Sequence, residues 1–247
     1  MSYKSRTVLI IGATRGTGAA MVKNMLAANH RVIAVGRTQA SVEASELAEP
    51  KAIWISADSS HEGVAEQLLG QYEPDVVVLV GGAQPTVAPF QNMSWLQFSQ
   101  TWENDTKMSF EWSKALLHAA TDKPRLLISF SSGASLNGSP LSGGYAGAKR
   151  MQTFLAGYAQ REANLMQRNL RFLSVIPTQL IEGTAIASQA SQAYAQASGK
   201  TADQFMSQWP QPLTPERCAQ AVVELIQEQP KEGVVFTISG SGLAQVA

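Results

Sequence analysis

The stretch "TVLIIGATRGTGAAMVKNMLAA", residues 7–28, decides how the rest of the chain is read. It begins as an apolar run, Thr7 to Ile11, without the alternation of a half-exposed strand. Such runs belong to strands buried on both faces, as in parallel sheets. The run ends on Gly12, Gly16 and Gly18 and passes into the helical pattern "AAMVKNMLAA". A tight strand-to-helix turn built from residues without a Cβ lets the backbone approach a pyrophosphate, and the helix N-terminus then faces its negative charge. The spacing Gly-x-x-x-Gly-x-Gly departs from the commoner Gly-x-Gly-x-x-Gly, but its strand before and helix after favour dinucleotide binding over a plain turn. Gly12, Thr14, Arg15, Gly16, Thr17 and Gly18 are therefore predicted to hold the cofactor's phosphates.

The same rhythm continues outward. Apolar runs recur as "RVIAV", "AIWIS", "DVVVLV", "RLLISF", "RFLSVI" and "VVFTI", most of them separated by segments long enough for crossover helices. This predicts an α/β, doubly wound Rossmann fold: a central parallel sheet of about seven strands with helices on both faces, its ligand beyond the carboxyl ends of the strands. No repeat or Pro/Gly-rich linker divides the chain, so residues 1–247 read as a single catalytic domain. The segment 178–214 is too long for a simple connection and reads as a substrate loop or lid.

Composition narrows the function. The 19 basic and 19 acidic residues balance, which gives no field to recommend nucleic acid or an anionic membrane as partner. No apolar stretch approaches the ~18 residues of a membrane span, and no signal peptide is evident, so a cytoplasmic location is expected. Cys218 is the only cysteine and lies in the apolar helical pattern "ERCAQAVVELI", which predicts a buried, inert thiol. His30, His61 and His118 are scattered, and no metal site is expected.

The second strand selects the dinucleotide. A carboxylate at its end would bind the ribose 2'-hydroxyl of NAD, whereas an arginine accommodates the 2'-phosphate of NADP. The sequence there is "RVIAVGRTQ": Gly36 leaves room, Arg37 offers a bidentate phosphate partner, and Arg15 reaches from the glycine turn. NADP(H) is the predicted cofactor.

"SSGASLNGSPLSGGYAGAK", residues 131–149, places Ser132 upstream of Tyr145, with Lys149 one helical turn further on. Alone, a tyrosine and a lysine four apart usually share a solvated helix face. With the glycine turn in register, the chain resembles the short-chain dehydrogenase/reductase family over nearly its whole length. The resemblance implies that Ser132, Tyr145 and Lys149 are catalytic, that Lys149 also holds the nicotinamide ribose, and that Asp58 in "SADSS" bonds the adenine. "LVGGAQ" stands where the family usually has Asn-Asn-Ala-Gly, which brings Gly82 to the cofactor; Pro177 and Thr178 stand where Pro-Gly is usual. In "SWLQFSQTWENDTKMSF", Asp105 takes the place of a catalytic asparagine, with two possible roles, its side chain or a kinked backbone carbonyl holding a water.

These residues suit reduction of a carbonyl. Hydride goes to carbon, and the oxygen needs a proton donor and hydrogen bonds that strengthen in the transition state. A phenol is a poor base near neutrality, and a nearby cation stabilises its phenolate. The expected activity is interconversion of a ketone and a secondary alcohol, Tyr145 acting as general acid/base on a neutral small-molecule substrate. A β-ketoacyl thioester reductase and a catalytically impaired dinucleotide-binding sensor or scaffold are the alternatives. Trp102, Phe110, Trp112, Met151 and Phe154 give more aromatic surface than one sheet face need bury, and the family resemblance implies that these helices pair across subunits, so a homodimer or homotetramer is expected.

Overall fold

The computed structural model describes residues 4–119, 121 and 123–246. Its first half alternates strictly: β1 (Thr7–Ile11), α1 (Gly16–Ala27), β2 (Arg31–Gly36), α2 (Gln39–Ala48), β3 (Ile53–Ser56), α3 (Val64–Tyr72) and β4 (Val76–Leu79). A long loop then leads to α4 (Trp95–Thr101), a π-helical turn (Trp102–Thr106) and α5 (Lys107–His118), which returns to β5 (Arg125–Phe130). The short α6 (Ala134–Asn137) precedes α7 (Gly143–Leu165) and β6 (Leu170–Pro177). The chain ends with α8 (Ala185–Ala197), α9 (Ala202–Met206), α10 (Pro215–Glu228), β7 (Val235–Ser239) and β8 (Gly242–Gln245).

The strands form one sheet in the order β3-β2-β1-β4-β5-β6-β7-β8. Every pairing is parallel except the hairpin of β7 with β8. The predicted strands are all present, and β8 is an addition: "GLAQ" is half polar and sits at the sheet edge, where one paired side suffices. The order reverses between β1 and β4, and this switch point leaves a crevice at the strands' carboxyl ends.

Successive residues of a strand point to opposite faces, so β1 supplies two cores. Val8 and Ile10 pack with Met21, Val22 and Met25 of α1 and with Val222, Leu225 and Ile226 of α10. Leu9 and Ile11 pack with Leu68 and Leu69 of α3, Trp112 and Leu116 of α5, and Ala156, Ala159 and Ala163 of α7. Fully burying a Leu or Ile stabilises by roughly 1.5–3 kcal/mol, so these two layers hold the crevice rigid. Trp112 corrects an expectation: it is a core residue, fully buried, its indole N–H donating to the Ser59 carbonyl at 3.1 Å. Phe110 and Phe154 are exposed as expected, joined by Tyr158. No helix among the described residues is long and apolar enough to cross a membrane.

Candidate active site

A cavity of about 1030 Å³ opens at the switch point. All the residues singled out by the sequence line it: Gly12, Thr14, Arg15, Gly16, Thr17, Gly18, Arg37, Asp58, Gly82, Asp105, Ser132, Tyr145, Lys149, Pro177 and Thr178. Its two ends are built by different physics.

At one end the backbone decides. Gly12 has φ of 86°, and a Cβ there would lie 2.3 Å from the Gly81 Cα. A Cβ on Gly18 would lie 2.0 Å from the Gly12 carbonyl oxygen. The turn is thus closed onto the segment after β4 and onto itself, and it delivers α1 with no side-chain cap and no acidic residue in its first turn. Its free N–H groups and positive dipole end are left for an anion. Arg15 and Arg37 are exposed at this end of the cavity. Nearby, Asp58 accepts from the backbone N–H of Ser60 at 3.1 Å and from its hydroxyl at 2.7 Å. Burial opposes its charge, but these bonds, with His61 and Arg37 adding to them, hold the carboxyl below the usual aspartate value.

At the other end charge decides. The helix running from α4 into α5 widens by one π turn, and such a turn re-aims its side chains. Asp105 points inward and is fully buried. One carboxylate oxygen accepts from the Ala83 backbone N–H at 2.8 Å; the other lies 3.0 Å from Lys149 Nζ. Lys149 also donates to the Phe130 carbonyl at 3.2 Å and sits 5.6 Å from the centre of the Tyr145 ring. Burial disfavours the ammonium, yet the Asp105 carboxylate and Tyr145 outweigh it and hold Lys149 above the usual lysine value. Ser132 is half-buried and its oxygen accepts from the Ala134 N–H at 3.3 Å.

Several residues at this end were not anticipated. Gln152 donates to the Asp105 carbonyl at 3.1 Å and to Ser109 Oγ at 2.7 Å, so the kinked carbonyl is engaged by an amide. Ser131 donates to the Lys149 carbonyl at 2.8 Å, and Thr153 donates to Ser131 at 2.9 Å. Gln152 and Thr153 lie three and four residues beyond Lys149, and that helical spacing was the available signal. Gly82 faces Asp105 closely, which its expected place beside the cofactor did not foretell: a Cβ there would lie 2.7 Å from the carboxylate. The N–H and hydroxyl of Thr178 both donate to the Ile238 carbonyl, at 2.9 and 3.2 Å, tying the loop after β6 to β7.

The segment 178–214 folds as α8 and α9 over this end. Thr184 caps α8, its hydroxyl accepting from the Ala187 N–H at 3.2 Å. Tyr194 stacks on Phe205 with ring centres 5.7 Å apart, and Trp209 meets Phe205 edge-on at 5.9 Å. The Tyr194 hydroxyl is hydrogen-bonded to Ser139. Leu180, Ile181, Tyr194, Phe205 and Trp209 line the cavity, whereas Met206 does not. Cys218 is fully buried, and burial pushes its thiol up to about 12, as an inert thiol requires. Among the described residues no cluster of His, Cys, Asp and Glu is placed to hold a metal ion.

Known proteins share this fold. L-xylulose reductase of Bos taurus is 27% identical over 135 residues, 54% of this chain and 55% of that protein, so the match spans about half the length of the relative. Levodione reductase superposes with a TM-score of 0.83 at 19% identity, covering 97% of this chain and 98% of that one. An oxidoreductase of the short chain dehydrogenase/reductase family from Burkholderia thailandensis gives 0.74 at 20% identity, covering 90% and 86%. A short-chain dehydrogenase from Streptomyces avermitilis gives 0.74 at 21%, covering 98% and 90%. At such identities these superpositions speak for the fold. The short chain dehydrogenase family model matches residues 6–195, and the chain belongs to that family.

Proposed function

We propose that the protein is an NADP(H)-dependent oxidoreductase that interconverts a neutral ketone and a secondary alcohol. The observation that carries this reading is the convergence of Ser132, Tyr145 and Lys149 on one cavity whose far end is the glycine turn with Arg15 and Arg37. The cradle fits the cofactor: a Cβ at Gly12 or Gly18 would collide with backbone, and the uncapped α1 N-terminus is free for a phosphate. NADP(H), when bound, supplies or accepts the hydride.

The chain's own residues do the rest. Arg15 and Arg37 meet the 2'-phosphate, Asp58 meets the adenine, and Gly82, Pro177 and Thr178 border the nicotinamide end. Ser132 donates a hydrogen bond to the substrate oxygen and fixes its distance from Tyr145. The Tyr145 hydroxyl gives its proton to that oxygen as negative charge develops, and takes it back in the reverse direction. Lys149 has one N–H left beyond Asp105 and Phe130, for the ribose hydroxyls. The lid end is lined by Leu180, Ile181, Phe205 and Trp209 with no basic side chain, which supports a neutral substrate over a carrier-bound thioester.

The exposed Trp95, Phe110, Phe154 and Tyr158 on α4, α5 and α7 support a homodimer or homotetramer. Residues 1–247 are read as one cytoplasmic catalytic domain with a lid at 178–214. The test is NADPH consumption across a panel of neutral ketones by the wild type and Tyr145→Phe. General acid–base help is worth ~10²- to 10⁴-fold, so the variant should lose that much kcat while still binding NADPH; turnover that survives refutes the mechanism. A second reading, a dinucleotide-binding sensor without turnover, draws on the Lys149 charge being already matched by Asp105. NADPH binding with no turnover of any ketone would favour it.

A further inference from the structure

We propose that Asp105 and Gly82 act together as the positioning unit of Lys149: the carboxylate keeps the buried amine protonated and aimed, and the missing side chain at Gly82 gives the carboxylate its place. This rests on the reading of Lys149 as a working residue of the site.

Three observations lead to it. First, a lysine as buried as Lys149 needs a counter-charge, because burial favours the neutral amine and displaces the titration of such groups by up to several units. Asp105 Oδ2, at 3.0 Å, is that charge. Among the described residues no other carboxylate is placed to replace it. Glu103 and Lys107, flanking it on the same helix, are exposed, and Glu111 of α5 pairs with Lys114 at 2.6 Å. Arg150 on α7 is turned to the carbonyls of Ser135 and Leu136, both at 3.0 Å. α4, α6 and α8 carry no charged side chain, and Arg125 stands at the opposite end of β5. The other ionisable groups lining the cavity are Arg15, Arg37, Asp58, Tyr145 and Tyr194.

Second, the carboxylate has one available pose. Oδ1 is held by the Ala83 N–H at 2.8 Å, and Gln152 holds the Asp105 carbonyl at 3.1 Å, which leaves Oδ2 to face the amine. Third, that pose exists only because residue 82 has no side chain. A Cβ there would stand 2.7 Å from Oδ2, closer than real Cβ contacts come, and 3.2 Å from Cγ, tighter than most. The glycine and the aspartate are thus one steric and electrostatic arrangement, although they lie on different elements.

The test needs no substrate. Wild type and Asp105→Asn are unfolded with urea between pH 7 and pH 10. Deprived of its partner, Lys149 should lose its proton in the folded state below the usual lysine value near ~10.4 but regain it on unfolding. The unfolded variant then binds more protons than the folded one, so the deficit in stability should be largest at pH 7 and shrink by about half or more by pH 10. A deficit of the same size throughout would overturn the proposal, since a purely structural loss does not depend on pH. Should Asp105→Asn be too unstable to measure, Asp105→Asn/Lys149→Met supplies the second arm. Removing the stranded amine should recover much of the stability at pH 7, and a double variant that is likewise too unstable to measure would refute the idea. For Gly82, the cost of Gly82→Ala should fall several-fold in an Asp105→Ser background; equal costs in the two backgrounds would remove Gly82 from the unit. These arms read Lys149 in the folded chain. Turnover surviving in Tyr145→Phe would sink the functional reading and leave them standing.

Discussion

The glycine turn and the Lys149 pocket close the two ends of one cavity, and they resist change in different ways. The turn is a matter of shape: Gly12 and Gly18 approach backbone so closely that a single carbon does not fit. The pocket is a matter of charge: Lys149 and Asp105 are paired where almost no water reaches. Shape of this kind is local and can be read from spacing. Charge of this kind joins distant parts of the chain and becomes visible only when the chain is folded.

The largest effect expected from breaking the contrast is at Gly18. Gly18→Ala puts a Cβ 2.0 Å from the Gly12 carbonyl, and backbone on both sides prevents relief. A loss of about 4 kcal/mol or more, or failure to fold, should appear in urea denaturation. A loss under 1 kcal/mol would mean that the turn relaxes. At the other end, Ser132→Ala should leave folding unchanged and lower kcat by roughly 10²-fold, the usual cost of removing one donor to a developing oxyanion. Unchanged kcat would remove Ser132 from the reaction.

The same contrast explains what was legible in the sequence. The parallel strands are readable because burial on both faces forbids polar residues, as "VVVL" and "RLLISF" illustrate. The glycine turn is readable because its requirement is written in consecutive positions. β8 escaped notice because an edge strand of four residues has one face and one side to satisfy. Trp112 was counted as surface because its partner, the Ser59 carbonyl, lies far away in sequence. Tyr145 and Lys149 share a helix face and could be found by spacing. The contacts that join Lys149 to Asp105, and Asp105 to Gly82 and Gln152, could not, because the π turn that aims Asp105 leaves no mark in residue type alone.

Between shape and charge stands Arg37, exposed after β2; Gly36 beside it leaves no room there for a phosphate, because a Cβ would already lie 2.4 Å from Thr14 Cγ2 and 2.8 Å from Val42 Cγ2. Arg37→Asp replaces the proposed 2'-phosphate partner by a group that repels phosphate and accepts from a 2'-hydroxyl. Preference should move from NADPH toward NADH by roughly 10- to 100-fold in the ratio of kcat/KM, and an unmoved ratio would refute the cofactor assignment.

The smallest expected effect sharpens the contrast, because Asp58 belongs to the shape-built end yet carries charge. Its carboxyl is held below the usual aspartate value despite the burial that opposes it, chiefly by the Ser60 N–H and hydroxyl. A depressed folded-state value means stability that is fully present above the unfolded value near ~3.9 and lost as pH falls through the folded one. Asp58→Asn keeps an acceptor oxygen but not the charge. The wild type should therefore exceed it in stability by about 1 kcal/mol or less at pH 6, the net worth of a hydrogen bond, with a smaller gap at about pH 3, below the unfolded value. Urea midpoints at the two pH values measure this. A gap that stays constant would mean that the turn after β3 is held by the shape of its backbone, as the glycine turn is, and that the charge is there for the ligand alone.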